Sequence, residues 1–343
     1  MNEINGTILF HGSAGAPLAT RMGQILEHSP GRSLVERFPD GEINVRLDEP
    51  VRGRDVIVVQ STSPPVTENL FELLAFADAC RRSAARSVTA VVPYFGYSRS
   101  DKRHGHREPV MASMTAGLIE SVGIAHLLTV DLHAPQIEGF FRIPVDNLTA
   151  LPVLATAVRM HVPPDVVVVS PDEGRVKAAT DFARWLNTRV AVLHKQREGG
   201  RTSSVVRVVG DVQGQACLII DDIICTGSTI AEGVNALLRA GARPEIYVAA
   251  THGILTNGSQ ERLRHPAVRQ VFITDSVPSG HAAWPELKVV TIAPLLAAAV
   301  RRLHTHESMA DLYTRPVGPP AEIFVPQVFE SEMEGKQHEP SLR

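Results

Sequence analysis

Short apolar runs rich in β-branched residues alternate along the chain with longer stretches whose apolar positions recur at helical spacing. The runs at 56–60, 88–94, 127–132, 166–170, 190–193, 217–220, 246–250, 271–273 and 289–292 are apolar at successive positions. Such runs predict strands covered on both faces by helices. Helical patterns fall between many of them, at 68–82, 110–121, 176–186, 229–240 and 294–304. Gly241 stands where a helix C-cap glycine belongs. The alternation predicts an α/β protein with mainly parallel sheets flanked by helices.

The pattern breaks at 149–164, where Pro152 opens a helical stretch and Pro163-Pro164 closes it before a new buried run. A boundary near residue 150 divides the chain into 1–150 and 151–313. Each half reads strand, loop, helix, a likeness too weak to be a repeat on its own. From 314 to 343 the chain is proline-bearing, acidic in part and without periodicity, which predicts a mobile tail.

The chain has 343 residues, 44% hydrophobic and 21% charged, enough for a sizeable core. Aromatics are 5%, so that core is aliphatic. A formal net charge of -3 offers no general basic field, so neither nucleic acid nor a membrane surface is an expected partner. A small anion remains possible, because loops bind phosphate without a basic surface. Three cysteines, Cys80, Cys217 and Cys225, make no disulfide framework and suit a cytoplasmic protein. The N-terminus lacks a signal-peptide pattern, and no apolar run approaches the ~20 residues of a membrane helix.

The densest chemistry lies at ACLIIDDIICTGSTI. A buried strand leads to Asp221 and Asp222, then to Thr226, Gly227, Ser228 and Thr229, then to a helix. Paired carboxylates at a strand end can accept hydrogen bonds from a vicinal diol. Backbone N–H groups and hydroxyls at a helix N-terminus make an anion site. Gly227 lets the backbone approach closely. A diol acceptor beside an anion cradle describes a ribose 5-phosphate pocket. The plainer alternative is a strand terminus followed by a Ser228 N-cap.

This segment resembles the ribose-phosphate loop of the phosphoribosyltransferase superfamily. Over nearly the whole chain up to about Tyr313, the sequence is similar to the ribose-phosphate diphosphokinase family. The resemblance implies two similar phosphoribosyltransferase-type domains. It rests on RFPDGE at 37–42, YSRSDKRHGHREP at 97–109, VDLHAPQIEGFF at 130–141 and SPDEG at 170–174. By resemblance, Phe38, Asp40, Gly41 and Glu42 would serve an ATP site shared with a neighbouring subunit, together with Arg99 and Ser100. His133, with Asp131 a candidate to orient it, and Asp172 would hold magnesium on the phosphates. Lys195 and Arg197, in a charged, Gly-rich flap at 194–204, would be the catalytic cations. Arg197, Asp221, Asp222, Cys225, Thr226, Gly227, Ser228 and Thr229 would bind ribose 5-phosphate.

The chain departs from the family pattern at Ser100, where Gln is more usual, at Arg175, where a second glycine is common, and at Cys225, where an acid is usual. The resemblance implies transfer of the β,γ-diphosphate of ATP to the C1 hydroxyl of ribose 5-phosphate, with Mg2+ as cofactor. It also implies a homo-oligomer, dimer-based and possibly a hexamer. The alternatives are a catalytically silent associated subunit and a phosphoribosyltransferase. His104 and His106 could suggest a metal site, but a solvated basic loop is the better reading.

Overall fold

A parallel sheet hides both faces and needs a helix between successive strands, and the chain meets that demand twice. The computed structural model describes residues 4, 6–103, 105–197, 204–278, 283–317 and 322–324. The first half runs β1 (Thr7–His11), α1 (Ala16–Ile25), β2 (Ser33–Arg37), β3 (Ile43–Leu47), β4 (Asp55–Val59), α2 (Val66–Arg82), β5 (Ser87–Val92), α3 (Met111–Ser121), β6 (His126–Val130) and β7 (Val145–Leu148). Five of these strands form an all-parallel sheet in the order β1-β4-β5-β6-β7. Strands β2 and β3 stand apart as an antiparallel hairpin.

The second half runs α4 (Leu151–Arg159), β8 (Val167–Ser170), α5 (Val176–Leu186), β9 (Val190–Arg197), β10 (Ser204–Val209), β11 (Cys217–Ile224), α6 (Ser228–Arg239), β12 (Ile246–Gly253), α7 (Ser259–Leu263), β13 (Val268–Thr274), β14 (Leu287–Val290), α8 (Ala293–Thr305) and β15 (Ile323–Phe324). Its sheet is ordered β10-β9-β8-β11-β12-β13-β14-β15. Only the outermost pairs, β10–β9 and β14–β15, are antiparallel. The central strand β12 is buried along its whole length, as its uninterrupted apolar run requires.

The two sheets share one core. Leu9, Leu18, Met22 and Leu128 from the first half pack in the same cluster as Phe182, Leu218, Phe272 and Leu295 from the second. Helix α1 lies against α8, so the first and last long helices close the two halves together. Helix α5 shows how sequence builds this layer. Ala179, Phe182 and Ala183, at i, i+3 and i+4, make its buried stripe, and Asn187 at φ +55° ends it in the left-handed conformation. Among the described residues, no helix is long and apolar enough to cross a membrane.

Every expected strand and helix has a counterpart, with shifted ends that matter. β11 continues to Ile224, so Asp221 and Asp222 lie within the strand and not beyond it. β9 continues through Arg197 and pairs with β10, so the base of the expected flap is a β-hairpin. Residues 198–203 lie outside the described residues. Part of the segment expected to be a mobile tail is ordered: β15 pairs with β14, Glu322 pairs with Arg21 at 2.8 Å, and the Arg21 guanidinium lies 4.5 Å from the Phe324 ring centroid. Most of the remaining tail lies outside the described residues.

Candidate active site

In doubly wound sheets, ligands gather at the carboxyl ends of the strands, and there the two halves meet. From the first half comes the turn after β6. Asp131 sits at φ +42°, which sends the chain sharply away from the strand. Its Oδ2 accepts from Thr251 Oγ1 at 2.6 Å and from the Ala150 amide at 3.0 Å. Asp131 therefore braces the turn and anchors it to β12; its carboxylate is not spent on orienting His133. Asn147 Oδ1 accepts from the Leu132 amide at 3.0 Å. Beneath the turn, buried His252 directs Nε2 at the Val130 carbonyl, 3.1 Å away, and burial lowers its pKa.

His133, at the tip of this turn, faces the second half. Its Nδ1 lies 2.8 Å from Asp222 Oδ2 and 2.8 Å from Arg175 Nη2. One ring nitrogen cannot serve both. Protonated, Nδ1 donates to Asp222; unprotonated, it accepts from Arg175. Arg175 Nη2 also donates to the His133 carbonyl at 3.2 Å and is hydrogen-bonded to Asp222 Oδ2, while its Nε lies 4.0 Å from Asp221 Oδ1. The Asp222 side chain is 10% exposed and that of Arg175 20%.

The acidic pair is electrostatically split. Burial, then the charge of Asp222, push Asp221 well above the ordinary carboxylate range. Burial acts the same way on Asp222, but the His133 hydrogen bond and the Arg175 charge overcome it and hold Asp222 down at about 2. The two carboxyls are thus pushed in opposite directions, Asp221 up and Asp222 down, as expected of two close acids in a poorly solvated site. A cavity of about 180 Å³ adjoins them, lined by Asp131, Asn147, Phe182, Asp221, Asp222 and Thr251.

Past the end of β11 the chain turns into α6. Gly227, at φ +76°, is the N-cap and contributes no side-chain cap, so Ser228 is not the cap that a plain strand–helix junction would use. A Cβ at Gly227 would lie 3.3 Å from Leu263 Cγ. Thr226 Oγ1 donates to Ser228 Oγ at 3.2 Å and accepts from the Ser228 amide at 3.4 Å. Thr226 and Ser228 are exposed and Thr229 half-buried, at the partially positive end of a 12-residue helix. Arg262, which sequence reasoning missed, donates to the carbonyls of Thr226 at 3.0 Å and Gly258 at 3.1 Å. Cys225 packs against the small cluster of Tyr94, Ile254 and Val277, and its carbonyl accepts from the Thr256 amide at 3.0 Å.

Asp172 is exposed and caps the short turn 173–175, its Oδ1 accepting from the Arg175 amide at 3.1 Å. His133 and Asp172 are thus linked through Arg175, one by its guanidinium and one by its backbone. Among the described residues, no three of His, Cys, Asp and Glu converge to hold a metal ion. Magnesium is usually held by one or two protein ligands, with waters and phosphate oxygens completing the shell, and the oxygen and imidazole donors here fit that mode. Lys195 and Arg197 lie in β9 opposite Val206 and Ser204, and their side chains lie outside the described atoms. His194, just before them, is ion-paired with Glu173.

The remaining candidates sit elsewhere. Phe38 is 45% exposed at the tip of the β2–β3 hairpin. The hairpin turn is closed by the Phe38 amide on the Glu42 carbonyl at 2.9 Å, the Glu42 amide on Asp40 Oδ1 at 3.1 Å, and Gly41 at φ +93°. Arg99 is exposed. Ser100 Oγ accepts from the Met111 amide at 3.2 Å, so its hydroxyl starts α3. His104 lies outside the described residues. Asn147 lies in VDNL at 145–148, a segment that also resembles the family, whereas Thr251 and His252 carry no motif and their only sequence signal is position at the carboxyl end of a strand.

Residues 7–123 match the N-terminal domain of ribose phosphate pyrophosphokinase, and residues 197–314 match a phosphoribosyl synthetase-associated domain. The chain is 42% identical to the ribose-phosphate pyrophosphokinase of Thermotoga maritima over 317 residues, which is 91% of this chain and 100% of that one. It is also 42% identical to the protein of the same name from Chromobacterium violaceum over 316 residues, 91% of this chain and 96% of that one. The crystal structure of phosphoribosylpyrophosphate synthetase from Mycobacterium smegmatis superimposes with a TM-score of 0.83 at 39% identity, covering 88% of this chain and 100% of that one. With this extent of similarity in sequence and in fold, the chain belongs to the ribose-phosphate pyrophosphokinase family.

Proposed function

We propose that this protein transfers the β,γ-diphosphate of ATP to the anomeric hydroxyl of ribose 5-phosphate, giving phosphoribosyl diphosphate and AMP. The observation that carries this reading is the placement of Asp221 and Asp222 one short turn before the N-terminus of α6. The ribose hydroxyls would bond to the acidic pair, and the 5-phosphate would lie on the amides and hydroxyls of Thr226, Gly227, Ser228 and Thr229. Asp222 would accept from one hydroxyl, and Asp221 would offer a second carboxyl beside it. ATP would approach across the cleft, with Arg99 on one side of adenine and Phe38 of a neighbouring copy on the other. This arrangement requires at least a dimer, and the exposed Phe38 ring suits it.

The C1 oxygen attacks the β-phosphorus in line, the bond from that phosphorus to the α,β-bridging oxygen breaks, AMP leaves, and the hydroxyl proton passes to solvent. Magnesium, when bound, neutralises phosphate charge, and His133 and Asp172 are the residues that would hold it. Lys195 and Arg197 would bring further positive charge to the transferring group as the β9–β10 hairpin folds over it. Catalysis of this kind is positioning and charge neutralisation.

Phosphorus NMR of the protein with ATP, magnesium and ribose 5-phosphate tests the reading. AMP and phosphoribosyl diphosphate should appear together, and Lys195→Ala should slow both by roughly 10²–10³. A second reading, a silent subunit of an active synthetase, draws on Arg175 lying on Asp222; ATP binding without either product would select it.

A further inference from the structure

Where β11 ends, three successive carbonyls are claimed by the segment that follows β12. The Ile224 carbonyl accepts from the Ile254 amide at 2.9 Å and the Leu255 amide at 3.2 Å. The Cys225 carbonyl accepts from the Thr256 amide at 3.0 Å and the Thr256 hydroxyl at 3.2 Å. The Thr226 carbonyl is held by the Arg262 guanidinium at 3.0 Å, and the same Nη1 donates to the Gly258 carbonyl at 3.1 Å. The first two clamps use backbone amides and survive any change of side chain. The third hangs on one exposed arginine of α7.

In a trans peptide, the carbonyl and the N–H of the following residue point in opposite directions. Holding the Thr226 carbonyl against Arg262 therefore turns the Gly227 amide away from α7. Gly227 is the N-cap of α6, at φ +76°, so this amide stands at the end of the helix that attracts an anion. The clamp matters because the residue is glycine. Without a Cβ, glycine takes positive and negative φ about equally well. Released from Arg262, the 226–227 peptide can turn over and offer an anion its carbonyl oxygen in place of its N–H. α7 also backs the turn: a Cβ on Gly227 would meet Leu263 Cγ at 3.3 Å and the Ser259 carbonyl oxygen at 3.4 Å.

Resting on the reading that Thr226–Thr229 hold the 5-phosphate, we propose that Arg262 is a positioning residue for ribose 5-phosphate, locking the Thr226–Gly227 peptide with its amide toward the phosphate. Steady-state kinetics of full-length Arg262→Ala, with AMP formation as the readout, tests it. The Michaelis constant for ribose 5-phosphate should rise roughly ten- to a hundredfold, the loss of one hydrogen bond to a charged group. The phosphate is bound alike before and during transfer, so kcat and the Michaelis constant for ATP should stay within about threefold. Arg262→Lys, whose ammonium can still donate to a carbonyl, should stay within about fivefold of wild type. Arg264→Ala removes an equal charge at an exposed position two residues along, and should change the constant by less than about twofold. Four results overturn the proposal: an unaltered constant for ribose 5-phosphate in Arg262→Ala, an equal rise for ATP, an equal rise in Arg264→Ala, or no recovery in Arg262→Lys. Normal turnover by the wild type with an unaltered Arg262→Ala removes this proposal alone, whereas a wild type without turnover removes the functional reading as well.

Discussion

Thr251→Val isolates the bond that ties the His133 turn to the second half. Thr251 is 5% exposed, and its Oγ1 donates to Asp131 Oδ2 at 2.6 Å. Valine keeps the shape and the methyl but cannot donate. Asp131 would retain the Ala150 amide at 3.0 Å and lose its other described donor. A hydrogen bond to a charged group contributes about 1.5–3 kcal/mol, and an acceptor left unsatisfied in a poorly solvated site accounts for the upper part of that range. The Thr251 carbonyl is itself fixed by Thr274 Oγ1 at 2.6 Å and Ser276 Oγ at 3.1 Å, so the backbone has little freedom to compensate. Thr251→Ser is the matched control: it keeps the hydroxyl and gives up one methyl, about 0.8 kcal/mol. Urea denaturation of the three proteins, compared through their midpoints at common slope, reads the difference. Thr251→Val should lose about 1 to 2 kcal/mol more than Thr251→Ser. If the two variants are equally stable, the Asp131–Thr251 bond does not brace the turn, and the account of how His133 is positioned fails.

Other expectations follow from groups elsewhere. Burial pushes Asp275 up to about 6 against an ordinary 3.8, although Thr291 Oγ1 at 2.6 Å and the Ile292 amide at 2.8 Å both favour its charge. Its contribution to stability is therefore fully present below about pH 4 and is lost as pH rises through 6, by roughly 3 kcal/mol at most; denaturation of Asp275→Asn from pH 4 to 7 should lack that slope, and an unchanged slope refutes the assignment. Gly227→Ala must hold a methyl at φ +76° and 3.3 Å from Leu263 Cγ, so the Michaelis constant for ribose 5-phosphate should rise roughly tenfold as the cradle shifts by 1–2 kcal/mol. A Michaelis constant equal to wild type would place the phosphate elsewhere. Phe38→Ala should raise the Michaelis constant for ATP by about three- to tenfold, the loss of one aromatic contact, while leaving thermal stability unchanged because the ring is exposed; the reverse pattern would assign Phe38 to folding.

Periodicity revealed the sheet strands because burial on both faces leaves an unbroken apolar run, as in β8, β11 and β12. It passed over α1, which is only 10 residues long, and β7, whose VDNL mixes polar and apolar residues because that strand is a sheet edge. It also stopped β11 at Ile220, since two carboxylates read as a loop; the backbone ladder to β12 carries through Asp221 regardless. Within the site, the Asp221–Thr229 segment was legible because strand, acid pair, small residues and helix are contiguous. The long-range contacts that hold the site together were not. Thr251 and Arg175 act across separations of 120 and 47 residues, to Asp131 and Asp222 respectively, and no local pattern encodes such distances. Ser100, placed by resemblance at a nucleotide contact, also accepts at its hydroxyl from the Met111 amide at the start of α3, a contact 11 residues away that the motif did not announce.

The core common to both sheets bears on how the chain is made. Leu9, Leu18, Met22 and Leu128 belong to the first half, yet their packing partners include Leu295, Val300 and other residues of α8. A ribosome finishing β7 at Leu148 must still add the residues through Thr305 before that face is covered. At ordinary elongation rates this leaves an apolar surface open for roughly 10–30 s. The nascent first half therefore carries exposed apolar surface during synthesis, and a chain truncated before α8 should aggregate and not accumulate as a folded fragment.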